Sequence, residues 1–203
     1  MTPATAADAT GRERRAEAQR ERILAAAKQC FIEHGFHAAS MASIAETAGM
    51  SPGLMYRYVE NKSAIVLAII EEQLDKIRRD IASLGSGSGL AERVLARAEQ
   101  WRAGQPDIMS PALALEMSAE ATRDPAIAAA ILRSDRQARD GLAGWLARPA
   151  AQGGLGLAPE AAASQALLLQ CFVEGLAVRV VREPGLSPAE MERAVRLFFA
   201  ALF

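Results

Sequence analysis

Between Ser40 and Lys62 the chain reads SMASIAETAGMSPGLMYRYVENK, and this segment admits few folds. Ser40 can cap a short helix whose inner face is Ile44, Ala45 and Ala48, and Gly49 ends it in a tight turn. Ser51 followed by Pro52 restarts a helix, because the serine oxygen accepts from orphan N–H groups and proline at the first helical position has no N–H to lose. This second helix is expected to run to about Tyr58, and Asn61 to cap a long helix from Lys62 to about Ser83. Ala45 and Ala48 leave room for close packing, Met50 can plug the turn, and Met55 and Val59 can anchor the second helix from below. Two short helices joined and braced in this way form a helix-turn-helix.

What remains for the outer face of the second helix is Pro52, Gly53, Leu54, Arg57 and Tyr58, with Tyr56 to one side. Residues near the start of such a helix can meet base edges in the major groove of DNA. Arg57 is the one charged side chain on this face, and its guanidinium matches guanine O6 and N7 in a bidentate geometry. The hydroxyls of Tyr56 and Tyr58 can donate to phosphate oxygens. Lys62 stands in the first turn of the next helix, where the helix dipole disfavours an ammonium, and a phosphate partner would explain that placement. The competing reading is a helical hairpin inside a core, with the tyrosines as packing residues and Arg57 as a solvated charge. The residues alone therefore leave open a DNA-binding regulator and a helical interaction module that binds no DNA.

Charge constrains the first reading. The formal net charge is −1 and the pI about 6.2, so the chain does not coat nucleic acid by charge alone. Through Lys62 there are 8 Lys and Arg against 7 Asp and Glu, so any DNA contact must be local. Alanine, leucine, arginine and glutamate dominate, only 5% of residues are aromatic, and period-two runs of β-branched residues are missing. An all-α fold is the expectation.

The cysteines, Cys30 and Cys171, lie far apart in apolar helical patterns and read as buried free thiols. Glycine-rich phosphate loops, nucleophile elbows and metal-spaced His or Cys sets are lacking, and the two histidines, His34 and His37, both precede the C-terminal module. A non-enzyme without metal or cofactor is expected. No apolar run of about 18 residues and no signal peptide is read, so the expectation is a cytoplasmic protein with no membrane partner.

Along the chain, residues 1–11 read as a disordered tail, 12–62 as the helix-turn-helix domain, 63–89 as a connecting helix and linker, and 90–203 as a second domain. The first helix starts near Arg12, buries Ile23, Ala27, Cys30 and Phe31 on one face, and closes at Gly35. The stretch LGSGSG at 84–89 is the clearest composition break. Helices are then expected at about 90–103, 111–121, 125–147, 159–182 and 187–203.

The last two of these helices carry more apolar surface than one face needs. A homodimer through Leu167, Cys171, Val178, Met191, Val195, Phe198, Phe199 and Leu202 would cover it. Large or polarizable side chains among small ones, namely Trp101, Met109, Leu113, Met117, Trp145 and Phe172, are candidates for lining a site for an apolar or amphipathic small molecule. Glu174 joins that set, and with Glu116 and Glu120 it would matter if it faces inward; periodicity does not decide which way these carboxylates point.

From about Arg20 to Ile70 the chain resembles the tetracycline-repressor (TetR) family of bacterial regulators. FIEHGFHAAS followed by SIAETAGMSPGLMYRYVENKSAI is similar to that family's glycine-aromatic turn, isoleucine-alanine helix, glycine turn, tyrosine-rich recognition helix and lysine-led fourth helix. The resemblance implies that Tyr56, Tyr58 and Lys62 contact phosphates, that Ser40 contacts the backbone at its helix start, and that positions such as Gly53, Leu54 and Arg57 meet bases. Ser51 and Pro52, at the start of the recognition helix, are counted with the DNA-binding residues. It further implies a homodimeric repressor on a pseudo-palindromic double-stranded operator. A small-molecule effector in the C-terminal domain would release it, with the fourth helix as lever and the last two helices forming a four-helix bundle across the dimer.

Ala42 departs from the pattern where the family often has arginine, Ser63 where an acidic residue is frequent, and Val59 where phenylalanine is commoner. Further on, PALALEMSAEATRDPAIAAAILRSDR is similar to the C-terminal domain of the betaine-responsive repressor type.

Overall fold

A computed structural model describes residues 6–84, 89–105 and 108–203. Among them every regular element is helical: α1 (Ala6–Ala38), α2 (Met41–Thr47), α3 (Pro52–Met55), α4 (Lys62–Ala82), α5 (Leu90–Arg102), α6 (Pro111–Ala121), α7 (Pro125–Ala147), α8 (Pro159–Arg182) and α9 (Pro188–Leu202), with a 3-10 turn at Ala150–Gln152 that the sequence pattern did not signal. α1 begins at Ala6, ahead of the expected start near residue 12, in keeping with its alanine, glutamate and arginine content. Residues 1–5 of the expected tail, and 85–88 of the glycine-serine stretch, lie outside the described residues. α3 stops at Met55, about three residues early, and the chain continues in turns in which Tyr58 N donates to Met55 O at 2.9 Å.

The described residues fall into two compact units. One takes in the described part of Met1–Ile70 together with Glu116–Ala128, and the other takes in Glu71–Leu115 and Ala129–Phe203. The division runs through α4, α6 and α7, so the segment 116–128, which sequence order assigns to the second module, packs with the first.

In the first unit Ile23, Ala27, Cys30 and Phe31 of α1 are buried, as their spacing required, along with Ile44, Ala45 and Ala48 of α2, Met55 of α3, and Ile65, Val66 and Ile69 of α4. Each of the larger side chains contributes roughly 1.5–3 kcal/mol by leaving water. Cys30 Sγ lies 3.3 Å from Thr47 Oγ1, fixing α1 against α2. Gly35, with φ 75° and ψ 163°, breaks the helical path of α1 before its last residues, a conformation that costs a side chain dearly.

The second unit has two clusters. Val94 and Ala98 of α5 pack with Leu169 and Leu176 of α8 and with Met191, Val195 and Phe199 of α9. Trp145 and Leu146 of α7 pack with Ala162 and Ala166 of α8. α9 starts in a reciprocal cap: Ser187 Oγ accepts from Glu190 N at 3.1 Å while Glu190 Oε2 accepts from Ser187 N at 3.2 Å.

Three expectations change here. Met191, Val195 and Phe199 are spent inside the chain's own core, at 0–8% exposure, and have no area left for a partner. Cys171 is exposed, not buried. α8 is, by length and composition, long and apolar enough to cross a membrane, because its few polar residues dilute the average only to a mean hydropathy of 1.5. In this fold Leu169 and Leu176 of α8 pack in the cluster with α5 and α9, while Leu167, Leu168 and Val181 stay exposed.

Candidate nucleic-acid interface

The reading head is built by caps. Ser40 Oγ accepts from Ser43 N at 3.0 Å and Ser43 Oγ accepts from Ser40 N at 2.9 Å, so α2 begins in a reciprocal pair. Gly49, at φ 62°, turns the chain after α2. Ser51 Oγ accepts from Leu54 N at 3.3 Å, and Pro52 stands just inside α3. Arg22, from α1, donates to Gly49 O at 3.2 Å and braces the turn from outside.

This bracing sorts the side chains of α3 and the turns after it. Met55 is fully buried, Leu54, Tyr58 and Val59 are half-buried, and Ser51, Pro52, Gly53, Tyr56 and Arg57 are exposed. Tyr56 shows 54% of its surface, an unusual outlay for an aromatic ring that only packs. A Cβ built on Gly53 would meet no atom within 4 Å, so nothing inside the chain requires glycine there. The structure thus brings Pro52, Gly53, Tyr56 and Arg57 out together, with Ser40 and Ser51 exposed at the two helix starts.

Lys62 is the exception. Its Nζ donates to the carbonyls of Phe36 at 2.5 Å, Ala39 at 2.8 Å and His37 at 3.4 Å, and lies 4.3 Å from the centroid of the Phe36 ring. An ammonium has three donors, and here three carbonyls meet them. Its position at the start of α4 therefore has an explanation within the chain and requires no phosphate. Burial lowers the Lys62 pKa, and the charge of Glu120 acts in the opposite direction.

Glu116 and Glu120, whose direction periodicity left open, complete this corner, and sequence reasoning missed Asp124. Glu116 Oε2 accepts from Phe36 N at 3.0 Å, and Glu120, nearly buried, lies 3.3 Å from His37 Nε2. Ser63 Oγ donates to Asp124 Oδ2 at 3.0 Å, which gives the departure at Ser63 a role. The signal was the helical spacing of Glu116 and Glu120 on α6, but their partners lie far away in sequence.

The candidate ligand residues belong to different clusters and units. Trp101 and Phe172 pack on the α5–α8–α9 cluster, where Phe172 stacks on Phe198 at 3.8 Å between ring centroids. Trp145 belongs to the other cluster. Leu113 and Met117 are buried on α6, Met109 is half-buried, and Glu174 is exposed, accepting from Gln170 Nε2 at 3.0 Å. Among the candidate interface residues, Leu167 and Cys171 are exposed and Val178, Phe198 and Leu202 half-buried. His34 is exposed beside Glu33, at 3.8 Å.

Two families match successive parts of the chain. Residues 23–69 match the family of bacterial regulatory proteins, tetR family, and residues 89–203 match the BetI-type transcriptional repressor C-terminal family. The HTH-type transcriptional regulator UidR of Escherichia coli strain K12 is 35% identical over 118 residues, 56% of this chain and 57% of that protein. The match thus spans somewhat more than half the length of such curated relatives. GusR of Salmonella enterica has a TM-score of 0.70 at 25% identity, over 91% of this chain and 95% of that one. A transcriptional regulator from Saccharomonospora viridis, solved in complex with choline, shares the fold with a TM-score of 0.69 at 20% identity, over 91% and 96% of the two chains. On the evidence of both halves, the chain belongs to the tetR family of bacterial regulatory proteins and carries a C-terminal half of its BetI type.

Proposed function

We propose that the chain is a DNA-binding transcriptional repressor that acts as a homodimer on a pseudo-palindromic operator and lets go when a small molecule binds its C-terminal half. The observation that carries the reading is α3: Met55 is fully buried while Tyr56 and Arg57 stand outward on a capped and braced segment. Arg57 reads a base, with Pro52, Gly53 and Leu54 close to the groove floor, and Ser40, Ser51, Tyr56 and Tyr58 donate to phosphates. Lys62 acts one step back, by holding the turn before α2.

Dimerisation covers the exposed apolar residues of α8 and α9, of which Leu167 is 46% and Leu197 73% exposed in the single chain. Two-fold symmetry then spaces the reading heads one helical turn of DNA apart, about 34–36 Å. The effector is an apolar or amphipathic small molecule in the C-terminal half, and choline, bound by the Saccharomonospora viridis protein that shares the fold, is also worth testing. It acts by its difference in affinity for the DNA-competent and released states. α4, α6 and α7, each with residues in both units, are the elements that carry the change.

Footprinting the purified protein on DNA flanking its own gene, with and without choline and a set of amphiphiles, tests this reading. A protected pseudo-palindrome, lost on Arg57→Ala and released by a ligand, is expected. No protection at low salt would favour an interaction module that binds no DNA.

A further inference from the structure

The helix-turn-helix segment is short of positive charge. Ser40 to Lys62 carries Arg57 and Lys62 against Glu46 and Glu60, and the Lys62 ammonium faces three backbone carbonyls. Non-specific affinity for duplex DNA comes from neutralising phosphates, so the charge must be supplied elsewhere. Of the eight Lys and Arg residues through Lys62, five (Arg12, Arg14, Arg15, Arg20 and Arg22) fall in one stretch of α1.

That stretch packs on little. Residues 13–22 are exposed or half-buried, and the fully buried positions of α1 start at Ile23. Helical spacing sorts its charges into two faces. Glu13, Glu17 and Glu21, each four residues apart, form one stripe, while Arg15, Gln19 and Arg22 line the opposite side. Arg20 lies beside the acidic stripe and pairs with Glu17 at 3.7 Å. The orientation of the basic side is set by Arg22, whose guanidinium reaches the carbonyl of Gly49 in the turn that leads into α3. From there Arg15 stands about 10 Å further out along the axis, seven residues at roughly 1.5 Å each.

We infer that the Arg15–Gln19–Arg22 side of α1 is a second DNA contact, a basic rail that binds backbone phosphates beside the groove entered by α3. It deepens the proposed DNA binding and rests on that reading. Guanidinium groups suit the task because they bind phosphate oxygens in a two-point geometry, and Gln19 can donate its amide to a third oxygen. The contact reads no sequence; it adds affinity and fixes the angle at which the reading head meets the duplex.

The test is fluorescence anisotropy of a labelled, mixed-sequence duplex of roughly 30 base pairs, titrated with the full chain over a range of salt concentrations. Arg15→Ala is expected to weaken binding several-fold at low salt and to lower the slope of log K against log salt by about 1 per subunit. Arg20→Ala, with the same change of charge on the other side, should leave the slope unchanged. Arg22 is left intact because it also braces the turn. Circular dichroism checks that both variants keep their helix content. If Arg15→Ala and Arg20→Ala behave alike while wild type binds and Arg57→Ala loses its operator, the rail is overturned and the recognition helix stands. If wild type binds no duplex even at the lowest salt, the DNA-binding reading fails and the rail with it.

Discussion

The backbone N–H of Phe36 donates to the Glu116 carboxylate at 3.0 Å, across a separation of 80 residues. Phe36 follows Gly35, where α1 breaks, and precedes Ser40, where α2 is capped, so the bond holds the hinge of the reading head. Lys62 collects the carbonyls of the same turn and Glu120 meets the imidazole of His37. Both the donors and the acceptors of this corner are thereby satisfied, from α6 on one hand and α4 on the other.

Removing that acceptor should show in stability. Glu116→Ala leaves a part-buried N–H without a partner and is expected to cost about 1–3 kcal/mol, with Glu116→Gln costing less because it can still accept. Gly35→Ala adds a Cβ 3.4 Å from Glu116 Oε2 at φ 75° and ψ 163°, a strain of about 1–3 kcal/mol. Urea unfolding measures all three, and an Ala variant as stable as wild type would remove the hinge role of Glu116.

Lys62→Met separates two roles for one ammonium. Losing three carbonyl partners should destabilise the chain by about 1–3 kcal/mol while leaving the salt slope of DNA binding as it was. A slope lowered by about 1 in a variant of normal stability would place Lys62 on a phosphate instead.

Arg57 should act on sequence preference. Arg57→Ala is expected to lose about 1–3 kcal/mol on the operator and to relax the preference at a single base pair of each half-site. Competition binding against operator variants measures this, and a uniform loss on every duplex would make Arg57 a phosphate contact.

Two residues of α9 should fail in different ways. Leu197 is 73% exposed in the single chain, so Leu197→Glu should give a folded monomer by sedimentation. Phe199 is 8% exposed in the α5–α8–α9 cluster, so Phe199→Ala should cost about 3–5 kcal/mol of stability. An intact dimer in Leu197→Glu would refute the α8–α9 interface.

Asp124 offers a pH signature. The hydroxyl of Ser63, then the backbone N–H groups of Ala126 and Ile127, hold its carboxyl below the usual carboxylate range. A carboxylate whose folded pKa is depressed stabilises the fold at neutral pH and loses that contribution as pH falls through the lowered value. The melting temperature of wild type should therefore fall relative to Asp124→Asn as the pH drops below about 4. Parallel curves for the two proteins would show that Asp124 adds no acid sensitivity.

Local chemistry was legible in the order of residues. Ser40, Ser51 and Asn61 cap because an oxygen next to a helix start is within reach of its free N–H groups whatever the rest of the chain does. Gly35 and Gly49 turn because only glycine is unstrained there, and the spacing of Ile23, Ala27, Cys30 and Phe31 selected the buried face of α1. What the tertiary structure decided was how long side chains with several possible partners were used. Lys62 could bind a phosphate or three carbonyls, Glu116 could meet solvent or a backbone N–H 80 residues back, and Val195 could serve a partner or its own core. Periodicity tells which residues share a face, and a face acquires its neighbour only when segments distant in sequence come together.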